Sequence, residues 1–87
     1  MDYTVEFEPE AIASLEKLSS VVRERIFRKI QWLAENFDQI TPQPLTGNLA
    51  GFFKLRVGDY RVIYDFSLET KIITIDQIGH RSEIYFE

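Results

Sequence analysis

The side chains of this sequence that can do chemistry are unevenly placed. Lys54, Arg56 and Arg61 stand against a single acid, Asp59, in the middle of the chain, while both ends carry an excess of acids. His80 and Arg81 follow as neighbours, with Tyr85 close behind. Guanidinium groups present paired donors that match phosphate oxygens. An imidazole, with an unperturbed pKa of about 6.5, exchanges protons near neutrality. A tyrosine can donate a proton or stack on a nucleobase, worth about 1–3 kcal/mol per base. The absences exclude other chemistry. With no cysteine there is no disulfide, thiolate zinc site or thiol nucleophile, and a single histidine rules out a multi-histidine metal site within one chain.

Each candidate also has a plainer role. Lys54 alternating with Arg56 is, by pattern alone, a solvated sheet face. Arg61 could pair with Asp59 or Asp76, and His80 after Gly79 could be a turn residue with a satisfied hydrogen bond. Arg81 could pair with Glu83 at the surface, worth only about 0–1 kcal/mol. Tyr60, Tyr64 and Tyr85 suit sheet packing, and Arg23, Arg25, Arg28 and Lys29 suit the wet side of a helix.

These side chains need a scaffold, and 87 residues allow one small domain spanning 1–87. Apolar residues at 45%, aromatics at 14% and charged residues at 28% describe a folded chain rather than a disordered one. The net charge of −4 weighs against a polyanion partner overall, but its distribution leaves the centre positive. The first ten residues are acidic, unlike a signal peptide, and no apolar run reaches the ~18–20 residues that cross a bilayer. A cytoplasmic location without membrane attachment is expected.

Tyr3, Val5 and Phe7 alternate with Thr4, Glu6 and Glu8, which predicts a half-buried strand. Pro9 opens a short amphipathic helix over about 9–18, carried by Ile12, Leu15 and Leu18. Ser19 and Ser20 break it and can cap a second helix, whose stripe runs through Val22, Ile26, Ile30, Leu33 and Phe37. Residues 38–51, with Pro42, Pro44, Gly47 and Gly51, read as a loop. Then FFKLRV, Gly58-Asp59 and YRVIYDF predict a tight hairpin, KIITIDQI another strand, and Glu83–Phe86 a last short one. The expected fold is α+β: an N-terminal strand, a helical hairpin, then an antiparallel meander forming one curved sheet packed on the helices. Alternation puts Phe53, Leu55 and Val57 on the buried face and Phe52, Lys54 and Arg56 on the other. In the next strand Tyr60, Val62 and Tyr64 share one face and Arg61 and Ile63 the opposite one. Pairing through the hairpin could bring Arg61 close to Lys54 or Arg56, in a register the sequence does not fix.

LTGNLAGFFKLRVGDYRVIYDF, followed by IGHRSEIY, resembles the RelE/ParE superfamily of toxin–antitoxin toxins, most strongly its RelE-type mRNA interferases. The likeness spans essentially the whole chain. It implies a compact α+β fold that cuts messenger RNA in the ribosomal A site, without metal or other cofactor. The 2′-hydroxyl beside the scissile phosphate attacks, leaving a cyclic phosphate, and a cognate antitoxin wraps the toxin between uses in a hetero-oligomer. By position, Lys54, Arg61, Arg81 and Tyr85 match basic and tyrosine residues assigned to catalysis in such enzymes. There are two departures. Phe52 stands where one branch has a second lysine, and His80 supplies an imidazole that the lysine-rich branch lacks.

Such cleavage needs a proton removed, a phosphorane dianion stabilised and the departing 5′-oxygen protonated. Arg61 and Arg81 suit the second task. Lys54 serves as base only where crowding by Arg56, Arg61 and Arg81 favours its neutral amine; otherwise its role is electrostatic. His80 suits proton transfer as base or acid. Arg56, Arg28 and Lys29 are candidate RNA contacts, because a phosphate contact is a general electrostatic term. Two other functions share the fold: a ParE-like poison of DNA gyrase, and a non-catalytic module that only binds an antitoxin. ParE-type chains generally lack the full basic and His-Arg-x-x-x-Tyr set.

Overall fold

The computed structural model describes residues 2–84. Strand β1 (Thr4–Phe7) leads through Glu8 into α1 (Pro9–Glu16), where Pro9 sits in the first turn and its missing N–H is of no consequence. Helix α1 ends at Glu16, with Lys17 as its C-cap, slightly short of the expected span. Ser19 caps α2 (Ser20–Glu35), its side chain accepting from the Val22 N–H at 3.3 Å. Ile26, Ile30 and Leu33 of the stripe are buried, and Phe37 continues it from a 3-10 turn over Phe37–Gln39. Each such side chain contributes about 1.5–3 kcal/mol of burial.

The predicted loop contains a two-residue strand, β2 (Gln43–Pro44), and a second 3-10 turn at Gly47–Leu49. Strands β3 (Phe53–Val57), β4 (Tyr60–Ser67) and β5 (Ile72–His80) follow as a meander. The five strands form one sheet in the order β1-β5-β4-β3-β2. The sheet is mixed. β1 lies parallel to β5, with Thr4 opposite Ile72 and Phe7 opposite Ile75, while the other pairings are antiparallel. A two-helix crossover separates β1 from the meander, which permits this parallel return.

Leu55, Val57, Val62, Tyr64, Ile73 and Ile75 form the sheet's half of the core with the helices' Ala11, Leu15, Ile26, Ile30 and Leu33. Phe37 links the layers, its ring 4.7 Å from those of both Tyr3 and Phe66. The register between β4 and β5 shifts between Ile63 and Tyr64, where Asp76 is the extra residue of a bulge.

The last expected strand does not begin at Glu83. Residues 81–83 turn instead, because the His80 carbonyl accepts from both the Glu83 and Ile84 N–H groups, at 2.8 and 3.1 Å. Residues 85 and 86 of that expected strand, including Tyr85, lie outside the described residues. Among the described residues, no helix is long and apolar enough to cross a membrane.

Tyr64 is 1% exposed, and burial pushes its hydroxyl up to about 12. The unfolded tyrosine ionises near pH 10, so the folded state holds the proton longer, and stability falls between about pH 10 and 12. Urea denaturation of the wild type and Tyr64→Phe at pH 8 and pH 11 checks this. The wild type should lose stability relative to the variant by about 1 kcal/mol over that interval, and parallel losses would contradict it.

Candidate active site

Backbone pairing sets the site. Val57 pairs with Tyr60 across the two-residue turn Gly58-Asp59, and Gly58 takes a φ of +58° that L side chains rarely adopt. From that turn, Arg56 falls directly opposite Arg61, and Lys54 opposite Ile63. Opposite residues share a face, so the three cations project from the side of the sheet away from the Leu55–Val62 core row. Ile63 is 0% exposed on this face without joining the core cluster, and half-buried Lys54 is its cross-strand neighbour. Like charges placed directly opposite are destabilising, so packing does not account for Arg56 facing Arg61.

The arginines gather around the turn. Arg61 Nη1 donates to the carbonyl oxygens of Gly58 and Tyr60 at 3.0 and 2.9 Å. These bonds fix the guanidinium and leave its Nε and Nη2 hydrogens without a partner among the described residues. That is the edge that grips a phosphate. Arg81 is tied to the same turn, its N–H donating to the Asp59 carbonyl at 2.8 Å and its Nε lying 3.8 Å from the Asp59 carboxylate. Both side chains of that ion pair are largely exposed, so it holds Arg81 loosely. Arg25, reaching from α2, lies against Gly58, and a Cβ there would come within 3.0 Å of its Nη2.

His80 belongs to the neighbouring row. It pairs with Tyr60, its ring 5.4 Å away in an edge-on contact, on the pleat opposite Lys54 and Arg61 but at the sheet's end. The Ser82 N–H donates to His80 Nδ1 at 3.1 Å, with Ser82 Oγ 2.8 Å from the same nitrogen. A nitrogen that accepts from an N–H carries no proton, so the neutral ring holds its hydrogen on Nε2. Gly79, opposite Arg61, gives the tail room, for a Cβ there would meet Ile84 Cγ1 at 3.0 Å.

The structure thus brings Lys54, Arg56 and Arg61 together on one face and Arg81 to their turn, but places His80 on the opposite face, at the end of the sheet. Arg28 and Lys29 lie on α2 and share a groove with Arg56. Phe52 is half-buried just ahead of β3, its carbonyl accepting from the Leu45 N–H at 2.9 Å. Sequence reasoning missed two partners. Arg25 joins the turn from a helix distant in sequence, and Ser82 orients His80. The signal for Ser82 was its place two residues after the histidine, where a short polar group folds back readily. Among the described residues, no three His, Cys, Asp or Glu side chains lie close enough to hold a metal ion together.

A helical hairpin on a five-strand mixed sheet, with arginines around one hairpin turn, is the architecture expected from the resemblance to the RelE/ParE superfamily. The family described as the ParE toxin of the type II toxin–antitoxin system parDE matches residues 5–85, and the chain belongs to it. It is 31% identical over 90 residues to the mRNA interferase toxin RelE of Escherichia coli, covering 100% of this chain and 94% of the relative. Toxin RelG of Mycobacterium tuberculosis is 34% identical over 89 residues, covering 98% of each. The toxin–antitoxin complex RelBE of the same organism contains a chain that superposes with a TM-score of 0.83 at 28% identity, covering 95% of both.

The opposed arginines make a stability prediction. Arg56→Gln relieves the repulsion and should stabilise the chain by about 0.2–1 kcal/mol at low salt. In about 1 M salt, where the screening length is about 3 Å, the gain should vanish. Paired urea titrations check both, and a destabilised variant would contradict the reading.

Proposed function

We propose that this chain is the toxin of a type II pair that cuts messenger RNA on the ribosome, in the cytoplasm, until an antitoxin covers it. The observation that carries the reading is Arg56 directly opposite Arg61 on an open face, with Lys54 on the same strand and Arg81 at the adjoining turn. This arrangement costs stability and gains from a bound polyanion. The relatives named as mRNA interferases, aligned over the whole chain, favour RNA as that polyanion. The full basic and histidine set favours nuclease action over gyrase poisoning or antitoxin binding alone.

In this reading the scissile phosphate sits against the unpartnered edge of Arg61, with Arg81 swinging from Asp59 to a second oxygen. The 2′-hydroxyl gives its proton to the base, its oxygen attacks phosphorus, and the P–O5′ bond breaks to leave a 2′,3′-cyclic phosphate. His80, as the imidazolium with its Nδ1–H donating to Ser82 Oγ, gives its Nε2 proton to the departing 5′-oxygen round the end of the sheet and is left neutral. Lys54 stands beside the Arg56–Arg61 pair and takes the first proton as a neutral amine, or, as the ammonium, offsets the dianion's charge while a water takes that proton. Tyr85, by resemblance, completes the set by stacking on or protonating a nucleotide. An open groove lined by Phe7, Ile12, Leu15 and Phe27 on the other side of α2, with Glu16 and Arg23 at its border, offers apolar surface for the antitoxin.

Cell-free translation with the purified chain, followed by mapping of transcript ends, tests the activity. The wild type should leave cyclic phosphate ends. Arg61→Gln, which removes a charge-stabilising donor, should slow cleavage by about 10²–10³-fold while keeping a native circular dichroism spectrum. Intact messages at saturating wild-type toxin would overturn the reading, as would undiminished cutting by the variant.

A further inference from the structure

The same hairpin borders a second feature. Arg25, Lys29 and Trp32 recur at i, i+4 and i+7 on α2, so they share one helix face, with Arg28 beside them. That face and the outer part of β3 enclose an open groove of about 430 Å³, which Arg56 and Gly58 also line. Its position follows from the sheet. β2 pairs with Phe53 and Lys54, so among the described residues no strand lies along the outer edge of β3 from Leu55 to Val57, and Arg56 can reach round it towards α2. In a chain of net charge −4, four cations converge here, and among the described residues no acid lines the groove. Arg28 pairs with Glu24 at 3.3 Å, an exposed ion pair that a phosphate can displace.

Trp32 gives this groove more than charge. It is 41% exposed, although burying an indole is favourable. Lys29 Nζ lies 4.0 Å from the centre of its ring system, so a cation already sits over one face. A flat aromatic surface flanked by cations one helical turn away matches a nucleotide, with its base on the ring and its phosphate on the cations. The groove also meets the candidate active site at Gly58, where Arg25 and Arg61 approach the turn from either side.

We propose that this groove is a second RNA subsite, in which a base of single-stranded RNA stacks on Trp32 while Arg25, Lys29 and Arg56 hold the adjoining phosphates. Taking the polyanion as RNA rests on the nuclease reading. The subsite holds a strand that passes round the β3 edge from the cleavage face, and so contributes affinity and orientation without touching the reacting atoms.

Trp32 is the chain's one tryptophan, so its fluorescence reports the site directly. The wild type is titrated at low salt with an 2′-O-methyl oligouridine of about eight nucleotides, which resists cleavage and is within the ~4–16-nucleotide range of single-strand sites. Saturable quenching is expected, weakened in parallel by Lys29→Glu and by Arg56→Glu. Anisotropy of a fluorescein-labelled copy should show roughly 5- to 150-fold weaker binding by Trp32→Ala, largely rescued in Trp32→Phe. Binding seen by anisotropy without a change in Trp32 emission would overturn the subsite. So would equal quenching by poly-glutamate, which would make the groove an acidic-peptide site. The cell-free cleavage assay separates the two readings: cleavage without quenching removes the subsite alone, and quenching without cleavage removes the nuclease and leaves the subsite.

Discussion

The two-residue turn at Gly58-Asp59 is the constraint on which the site depends. Side chains alternate along a strand, so a one-residue slip of β3 against β4 would exchange faces between them. Leu55, Val57 and Val62 would leave the core, and the charges of Lys54, Arg56 and Arg61 would compete for their places. Burial of the apolar row therefore enforces the register that places Arg56 opposite Arg61. Gly58 makes the turn possible with its positive φ, and its missing side chain lets Arg25 close in from α2. One backbone feature thus positions four arginines: two by pairing, Arg81 through Asp59, and Arg25 by contact.

The turn supplies counterweights to this concentration of charge. Carbonyl oxygens of Gly58 and Tyr60 take up one end of Arg61, and the Asp59 carboxylate lies near Arg81. Neither arrangement neutralises the face. An exposed ion pair of this kind contributes little and yields to a better anion, and an arginine fixed by carbonyls still presents its second edge. The apolar layer on the other side of the sheet bears the cost. Ile26, Leu33, Val62, Ile73 and Ile75 are fully buried there, and the Tyr3, Phe37, Phe53 and Phe66 rings interlock. A firm core permits a strained surface.

Much of this was legible in the sequence, for physical reasons. The α2 stripe, the Ser19 cap and the alternation through FFKLRV and YRVIY are local periodicities, and local geometry obeys them. Three features escaped that reading because they depend on distant partners. The parallel pairing of β1 with β5 requires a crossover that no local pattern encodes. β2 is two residues long and exists only because β3 offers an edge. The turn after His80 arises from its carbonyl accepting two N–H groups, which overrides the strand propensity of Ile84. In the site, Lys54 and Arg56 could be placed on one face from alternation alone, whereas Arg61 joins them only through the β3–β4 register. The position of His80 on the other pleat follows from the β4–β5 register, and Arg25 at the turn from helix–sheet packing, neither of which a single sequence specifies.

The central claim is that the cations around this turn grip an RNA backbone, and amide chemical shifts measured during titration with a cleavage-resistant RNA test it most directly. The account predicts that the largest shifts centre on Lys54, Arg56, Gly58, Asp59, Arg61 and Arg81 and diminish with rising salt. Shifts confined to β1, α1 and the apolar groove around Phe7 and Phe27, with the hairpin unmoved, would contradict it.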